Sequence, residues 1–352
     1  MQAHVNEGRI MMAWNNCGMM CASLKGIHWS TRTGNCLNIQ LQHLRNYCVT
    51  SLLRRHSAAT NAAAAEAITF VPRHQDTSTT ELAEFERVLR RFPRLAVITG
   101  AGISTESGVP DYRSAEVGLY ARRGHRPITY QEFVSSEPVR RRYWARNFAG
   151  WPRFSSVQPN AAHHALAEWQ RRGRCSSLVT QNVDGLHTAA AGGEVTELHG
   201  SSHRVRCLGC DFTQSRHQLQ RVLERANPQF AAEAPAALRP DGDVELDQDQ
   251  VSRFVVPPCP DCGGLLMPDI VFFGDSVPRA RVDSVRQAVA DADALLVVGS
   301  SLHVYSAYRH VLQAVELDRP VLILNIGPTR GDKHAFYKLD GRAGLVLPRL
   351  RL

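Results

Sequence analysis

The chain has 352 residues, of which 43% are hydrophobic and 21% charged, an ordinary globular balance with room for one large domain and one small one. No stretch approaches the roughly 20 consecutive apolar residues of a bilayer-spanning helix, so no membrane partner is expected. Half of the net charge of +8 lies in residues 1–70, which carry six basic groups and two acids. No dense Lys/Arg run with interleaved aromatics follows, so no nucleic-acid partner is expected either.

Residues 1–70 hold several Met, scattered Cys and an Ala62–Ala65 run. Residues 41–67 can form a basic amphipathic helix around Leu44, Val49, Leu52 and Leu53. An acid-poor, Arg-containing start of this kind reads as a mitochondrial transit peptide, with a disordered tail as the plain alternative. The nine cysteines are an odd total, and no signal-peptide pattern accompanies them. A secreted disulfide framework is therefore disfavoured and a reducing compartment expected.

Regular structure is expected from Ser78, where Ser78 and Glu81 form an S-x-x-E capping box. Leu82, Phe85, Val88, Leu89 and Phe92 follow at helical spacing. Leu95–Thr99 is a short apolar run that reads as a buried parallel strand and ends in Gly100-Ala101-Gly102. Three later segments repeat that grammar of strand and polar turn. Ser177–Thr180 runs into Gln181-Asn182-Val183-Asp184, Ala294–Val298 into Gly299-Ser300-Ser301, and Val321–Leu324 into Asn325-Ile326-Gly327. Helical patterns such as Ala162–Arg172 and Val282–Ala290 lie between them. The alternation predicts an α/β fold, a Rossmann-like doubly wound parallel sheet with its ligand beyond the carboxyl ends of the strands. Two segments fit no strand of that sheet: a helical, Arg-rich one near residues 115–150 and a cysteine-bearing one near 201–270. Within the second, residues 239–250 are acidic and turn-rich and read as an exposed loop.

Cys207-x-x-Cys210 and Cys259-x-x-Cys262 have the spacing of two zinc knuckles, with Gly209, Gly263 and Gly264 for the tight turns. The 48 residues between the pairs exceed ordinary ribbon spacing, so something is inserted there. Four thiolates close the coordination shell, so the zinc expected here is structural.

Glycines after a strand let the backbone approach a pyrophosphate at a helix start. A single G-x-G is a weak signal, however, and no ribose-binding acid stands at the end of a second strand, which disfavours a hydride-transfer dehydrogenase. The run Gly100 through Ser107-Gly108-Val109-Pro110-Asp111-Tyr112-Arg113 is more distinctive. With Gln181–Asp184, Glu197-Leu198-His199-Gly200, the four cysteines, Phe273-Gly274-Asp275, Gly299–Ser301 and Asn325–Gly327 in that order, it resembles the sirtuin family over roughly residues 78–350. The wording of Val117–Arg122, Arg142–Asn147 and Asn325–Arg330 is similar to the class II, mitochondrial sirtuin-4 type.

The resemblance implies an NAD-dependent protein lysine deacylase acting on acyl-lysine proteins, mitochondrial metabolic enzymes among them, in the mitochondrial matrix. It implies one catalytic domain over 78–350, with a helical cofactor-loop subdomain near 115–150 and a zinc module near 201–270. His199 is the implied general base, suited to that task by an imidazole pKa near 6.5. The implied cofactor-binding set begins with Gly100, Ala101, Gly102, Ile103, Ser104, Thr105, Glu106, Ser107, Gly108, Val109, Pro110, Asp111, Tyr112, Arg113 and Tyr120. It continues with Gln181, Asn182, Val183, Asp184, Gly299, Ser300, Ser301, Asn325, Ile326, Gly327 and the backbone at Ala343. Asn182 and Asp184 fall to the nicotinamide ribose and carboxamide, and Asn325 to the adenosine ribose. Val271, Phe273 and Gly274 are implied to line the acyl-lysine tunnel and to pair with substrate as an added strand. In the implied reaction the amide oxygen of the acyl-lysine attacks the ribose C1′ as nicotinamide leaves. His199 activates a ribose hydroxyl, and the acyl group ends on ADP-ribose.

Mono-ADP-ribosyl transfer or lipoamide cleavage on the same NAD site is the alternative, separable by products. A non-catalytic NAD- or partner-binding module would have no need of His199, Asn182 and Asp184 together, and a nucleic-acid zinc ribbon would show salt-sensitive DNA affinity. Tyr120 with Arg122, Arg123 and Arg126 offers a donor and cations for an acidic acyl group, whose buried carboxylate would otherwise go uncompensated.

Overall fold

A computed structural model describes residues 70–114, 118–119, 127–230 and 239–352. The 1–70 extension up to residue 69, and the Tyr120–Arg126 stretch with its tyrosine and arginines, lie outside the described residues. The first helix, α1 (Thr79–Leu89), is capped as its sequence dictates: Ser78 Oγ accepts from Glu81 N while the Glu81 carboxylate accepts from Ser78 N. Leu82, Phe85, Val88 and Leu89 form its buried stripe.

The main sheet uses β1 (Leu95–Thr99), β2 (Cys175–Thr180), β3 (Val195–Glu197), β7 (Ala294–Val298), β8 (Val321–Asn325) and β9 (Ala335–Asp340). Their order is β3-β2-β1-β7-β8-β9, and every pairing is parallel. β1, β7 and β8 are buried at every position, which is why they read as unbroken apolar runs. The chain winds outward from β1 in one direction and from β7 in the other. The strand order thus reverses between β1 and β7, where open α/β sheets place their ligands. One core on each face covers the sheet, the first around Phe85, Leu166 and Leu296 and the second around Ile98, Val285 and Ile323.

A smaller lobe is assembled from two separate visits of the chain. The first brings α2 (Tyr130–Ser135) and α3 (Glu137–Phe154), before α4 (Ala161–Arg171) returns to the sheet. The second follows the short α5 (Leu186–Ala189) and β3. It brings β4 (Gly200–Cys207), β5 (Thr213–Ser215), α6 (Arg216–Ala226), α7 (Gln248–Arg253) and β6 (Leu266–Ile270), with the three strands antiparallel in the order β5-β4-β6. The visits share one core, in which Phe133, Tyr143 and Trp144 meet Leu219, Met267 and Phe272. From there α8 (Arg279–Asp291) leads back to β7, and α9 (Tyr305–Glu316) joins β7 to β8. Among the described residues no helix is long and apolar enough to cross a membrane.

The first half of the 239–250 segment is not the exposed loop its composition suggests, whereas residues 245–250 are largely exposed. Val244 is wholly buried beside Trp151 and Phe154. Arg239 and Asp243, 6% and 7% exposed, pair at 2.8 Å. Arg146 of α3 reaches Asp243 at 3.2 Å, Glu245 at 2.8 Å and the Val244 carbonyl at 2.7 Å. Asp243 lies inward between two arginines, as buried charge requires, while Glu245, Asp247 and Asp249 are exposed.

Candidate active site

The four polar turns after β1, β2, β7 and β8 line a single cleft of about 1090 Å³, closed opposite by residues of the smaller lobe. Its floor is turn packed on turn. A Cβ on Gly102 would stand 2.8 Å from the Gly299 carbonyl oxygen, and one on Gly100 2.7 Å from the Ser300 Cβ. Gly299 itself sits at φ +58, in the left-handed region that side chains avoid. These glycines therefore let the β1 and β7 turns interlock, as well as leaving a bare backbone wall.

The β2 turn is fastened to the β1 turn by its side chains. Gln181 Nε2 donates to the Thr99 carbonyl at 3.1 Å and to Ser300 Oγ at 2.8 Å. Asn182 Nδ2 donates to the Gly100 carbonyl and to Ser104 Oγ, both at 3.1 Å. Ser104 Oγ in turn donates to Asp184 Oδ2 at 2.7 Å, and Asp184 Oδ1 accepts from Leu186 N at 3.0 Å. Burial pushes the Asp184 carboxyl up from its ordinary value. Among the described residues no hydrogen bond uses Gln181 Oε1 or Asn182 Oδ1, so both remain available to a ligand.

His199 stands where the main sheet hands over to the smaller lobe, between β3 and β4. Its Nδ1 lies 3.0 Å from the Gln181 carbonyl and its Nε2 2.7 Å from Ser306 Oγ. A carbonyl can only accept, so the proton is on Nδ1 and Nε2 accepts from the Ser306 hydroxyl. Burial is the main reason its pKa falls to about 4, well below the ordinary imidazole value on which the sequence argument relied. The ring is thus neutral at pH 7, and both it and the Ser306 that meets its basic nitrogen line the cleft. Ser306 carries no sequence signal of its own.

Most of the other expected residues also line the cleft: Ala101, Thr105, Glu106, Val109, Asp111, Tyr112, Arg113, Val183, Ser301, Asn325, Ile326, Gly327 and Ala343. Several of their side chains serve the wall. The Glu106 carboxylate accepts from Arg342 Nη2 and from Gly344 N, both at 2.9 Å, and so pins the Ala343 segment. Asp111 caps its own turn by accepting from Arg113 N, Ser114 N and Ser114 Oγ. Asn325 Nδ2 folds back on the Ile326 carbonyl at 2.8 Å. Ile103, Ser107, Gly108 and Pro110 do not line the cleft. Ile103 belongs to the core, Ser107 Oγ accepts from Asn160 Nδ2, Gly108 turns the chain at φ +86, and Pro110 is buried.

On the acyl side, Val271 N donates to the His199 carbonyl at 2.9 Å, which sets the two backbones side by side. Val271, Phe273 and Gly274 all line the cleft, and the Phe273 carbonyl accepts from Tyr130 N at 2.9 Å. Tyr143, Arg146, Arg239 and Asp243 line it as well. Composition could not point to these residues, because their partners come from distant parts of the chain.

Away from the cleft, the sulfurs of Cys207, Cys210, Cys259 and Cys262 lie within 4.8 Å of one another. Cys207 and Cys262 are 3.5 Å apart, and Cys210 and Cys259 3.7 Å. A disulfide needs about 2.05 Å, whereas Zn–S bonds of about 2.3 Å give a tetrahedron with edges of about 3.8 Å. The donor set and its spacing fit one Zn²⁺.

The sequence profile of the Sir2 family matches residues 100–306. The chain belongs to the Sir2 family. This sirtuin is 51% identical over 302 residues to the NAD-dependent protein deacylase Sirt4 of Drosophila melanogaster, covering 86% of this chain and 96% of the relative. It is 56% identical over 279 residues to the NAD-dependent protein lipoamidase sirtuin-4, mitochondrial, of Bos taurus, covering 79% and 88%. Among solved structures, a Sir2 protein with p53 peptide and NAD⁺ matches with a TM-score of 0.60 and 29% identity, covering 76% of this sirtuin and 96% of that chain.

Proposed function

We propose that this sirtuin is an NAD-dependent protein lysine deacylase of the mitochondrial matrix, targeted there by residues 1–70. The observation that carries the reading is the 2.9 Å bond from Val271 N to the His199 carbonyl. It sets the base beside the Val271–Gly274 segment assigned to acyl-lysine, in a cleft whose other wall is the strand-end turns assigned to NAD. The mitochondrial names of the mammalian relatives support the location.

Bound NAD supplies an electrophilic ribose carbon, releases nicotinamide and carries the acyl group away on ADP-ribose. The chain's own residues supply everything else. The bare backbone at Gly100, Gly102 and Gly299 gives close approach, and Asn182 Oδ1 and Gln181 Oε1 accept from sugar or carboxamide donors. His199 takes a ribose hydroxyl proton on Nε2 once the Ser306 hydroxyl turns away from that nitrogen, while its Nδ1–H stays on the Gln181 carbonyl and fixes the ring. Val271 through Gly274 hold the peptide as an added strand, and the surrounding apolar side chains exclude water that would otherwise hydrolyse the nucleotide. The four cysteines hold zinc to fix the smaller lobe, remote from the chemistry.

The test is incubation of the full chain with NAD and peptides carrying acetyl-, lipoyl-, glutaryl- or methylglutaryl-lysine, with products read by mass spectrometry. O-acyl-ADP-ribose with free lysine is the expected result. ADP-ribosylated protein with no deacylation would transfer the reading to the mono-ADP-ribosyltransferase alternative. The relative named a lipoamidase is the reason for the lipoyl arm. An acidic acyl group held by Tyr120 with Arg122, Arg123 or Arg126 remains part of the proposal, tested by the glutaryl arms.

A further inference from the structure

Beside the mouth of the main cleft lies a second depression of about 450 Å³, between the start of α8 and the start of α9. The two share Asp275, Val277, Tyr305 and Ser306. A peptide that lies along Val271–Gly274 and leaves past Tyr305 therefore runs directly into it. Tyr305 is 58% exposed and Val282 closes the floor, so the walls offer apolar stem contact as well as charge.

The charge is cationic. Arg279 is loosely paired with Asp283 at 3.5 Å and is otherwise almost wholly in water. Arg286 and Arg309 line the same depression, and among the described residues neither guanidinium makes an ion pair. They are close enough that, after burial, their two charges help to push the His310 imidazole down to about 4. Asp275 is the remaining acid of the depression, and its Oδ1 accepts from Ser276 N at 2.7 Å. Two uncompensated arginines at the exit of a peptide cleft favour carboxylates on whatever passes between them.

We propose that this depression is a docking subsite for acidic side chains flanking the acyl-lysine, so that the preferred protein substrates carry Asp or Glu within a few residues of it. The proposal rests on the deacylase reading and names a substrate class for it. Two exposed Arg–carboxylate contacts together give about a three- to tenfold affinity difference, reduced by salt.

The experiment uses the full chain and pairs of acyl-lysine peptides that differ only in two flanking Glu or two flanking Gln, placed on either side. Binding is read by fluorescence anisotropy and turnover by mass spectrometry. Acidic peptides should bind about three- to tenfold more tightly at roughly 0.05 M salt, with the advantage fading at roughly 0.5 M. Arg286→Glu and Arg309→Glu should each erode it, while turnover of the Gln peptide stays unchanged. Equal affinity for the two peptides, or a preference that survives both charge reversals, would overturn the subsite. Turnover of the Gln peptide with no acidic preference rejects the subsite and leaves the deacylase reading standing. Acidic preference in binding with no turnover of any peptide does the reverse.

Discussion

Acidifying the assay should leave kcat/KM for NAD nearly intact well below pH 6. Burial pushes His199 down to about 4, and the neutral imidazole is the form that can take a proton. At pH 5.5 an imidazole of pKa near 4 is about 97% neutral, whereas one of ordinary pKa near 6.5 is only about 9% neutral. The two cases differ by about tenfold at one pH, and the structure commits to the first. The Gln181 carbonyl, which accepts from Nδ1, opposes burial and raises the value, while the Ser306 hydroxyl donates to Nε2 and so favours the unprotonated ring. Steady-state rates from pH 5 to 8 give the profile, with circular dichroism at each pH to establish that the protein is still folded. Ser306→Ala should move the acidic limb upward, and His199→Ala should remove about 10²- to 10⁴-fold of the rate while sparing zinc content. An acidic limb centred near 6.5 in the wild type would refute the argument.

Cys210→Ser should lower zinc content and thermal midpoint together, because metal binding and folding are coupled; unchanged zinc by atomic absorption would contradict the four-sulfur site. In Gly299→Ala the new Cβ would stand 2.5 Å from Ile103 N at φ +58. A stability loss of about 1–3 kcal/mol with weaker NAD binding is expected, and unchanged calorimetric NAD affinity would count against the interlocked turns. Arg146→Ala leaves Asp243 with one cation fewer in a largely buried cluster, at a cost of about 3 kcal/mol in urea unfolding; a change below about 0.5 kcal/mol would mean Asp243 is solvated after all. Deleting residues 1–70 should preserve activity in vitro and abolish mitochondrial accumulation in fractionated cells, and import of the shortened chain would refute the targeting role.

The strands legible in the sequence were those with mostly buried residues, β2 through its Leu178–Thr180 end and three others along their whole length. β1, β7 and β8 are continuous apolar runs because nothing polar could be tolerated there. The edge strands escaped for the opposite reason: β3 is three residues long with no buried position, and β9 buries only Leu339. Local turns and knuckles were visible because their glycines and cysteines must be adjacent in sequence. The partners were not visible, since Ser306 meets His199 across 107 positions and Arg146 meets the Val244 backbone across 98. That distance also explains the misreading of 239–244, where Asp243 looks solvated until the arginine arrives. The depressed basicity of His199 belongs to the same class, being a property of what surrounds the ring.

The two visits of the chain to the smaller lobe also set a schedule. Trp144 and Trp151 leave the ribosome on α3, but Arg216 and His217 of α6 come later, His217 following 66 residues after Trp151, and Leu266 of β6 follows 122 after Trp144. At about 5–20 residues per second that interval lasts on the order of ten seconds. Cys262 comes near its end, so the metal shell cannot close early. Throughout the delay two large indoles stand uncovered, while the intervening β2 can already pair with β1 and β3 with β2. The main sheet waits longer still, because β1 meets β7 only when Ala294 reaches Leu95, so apolar surface on both lobes needs shielding from other chains until synthesis is nearly complete.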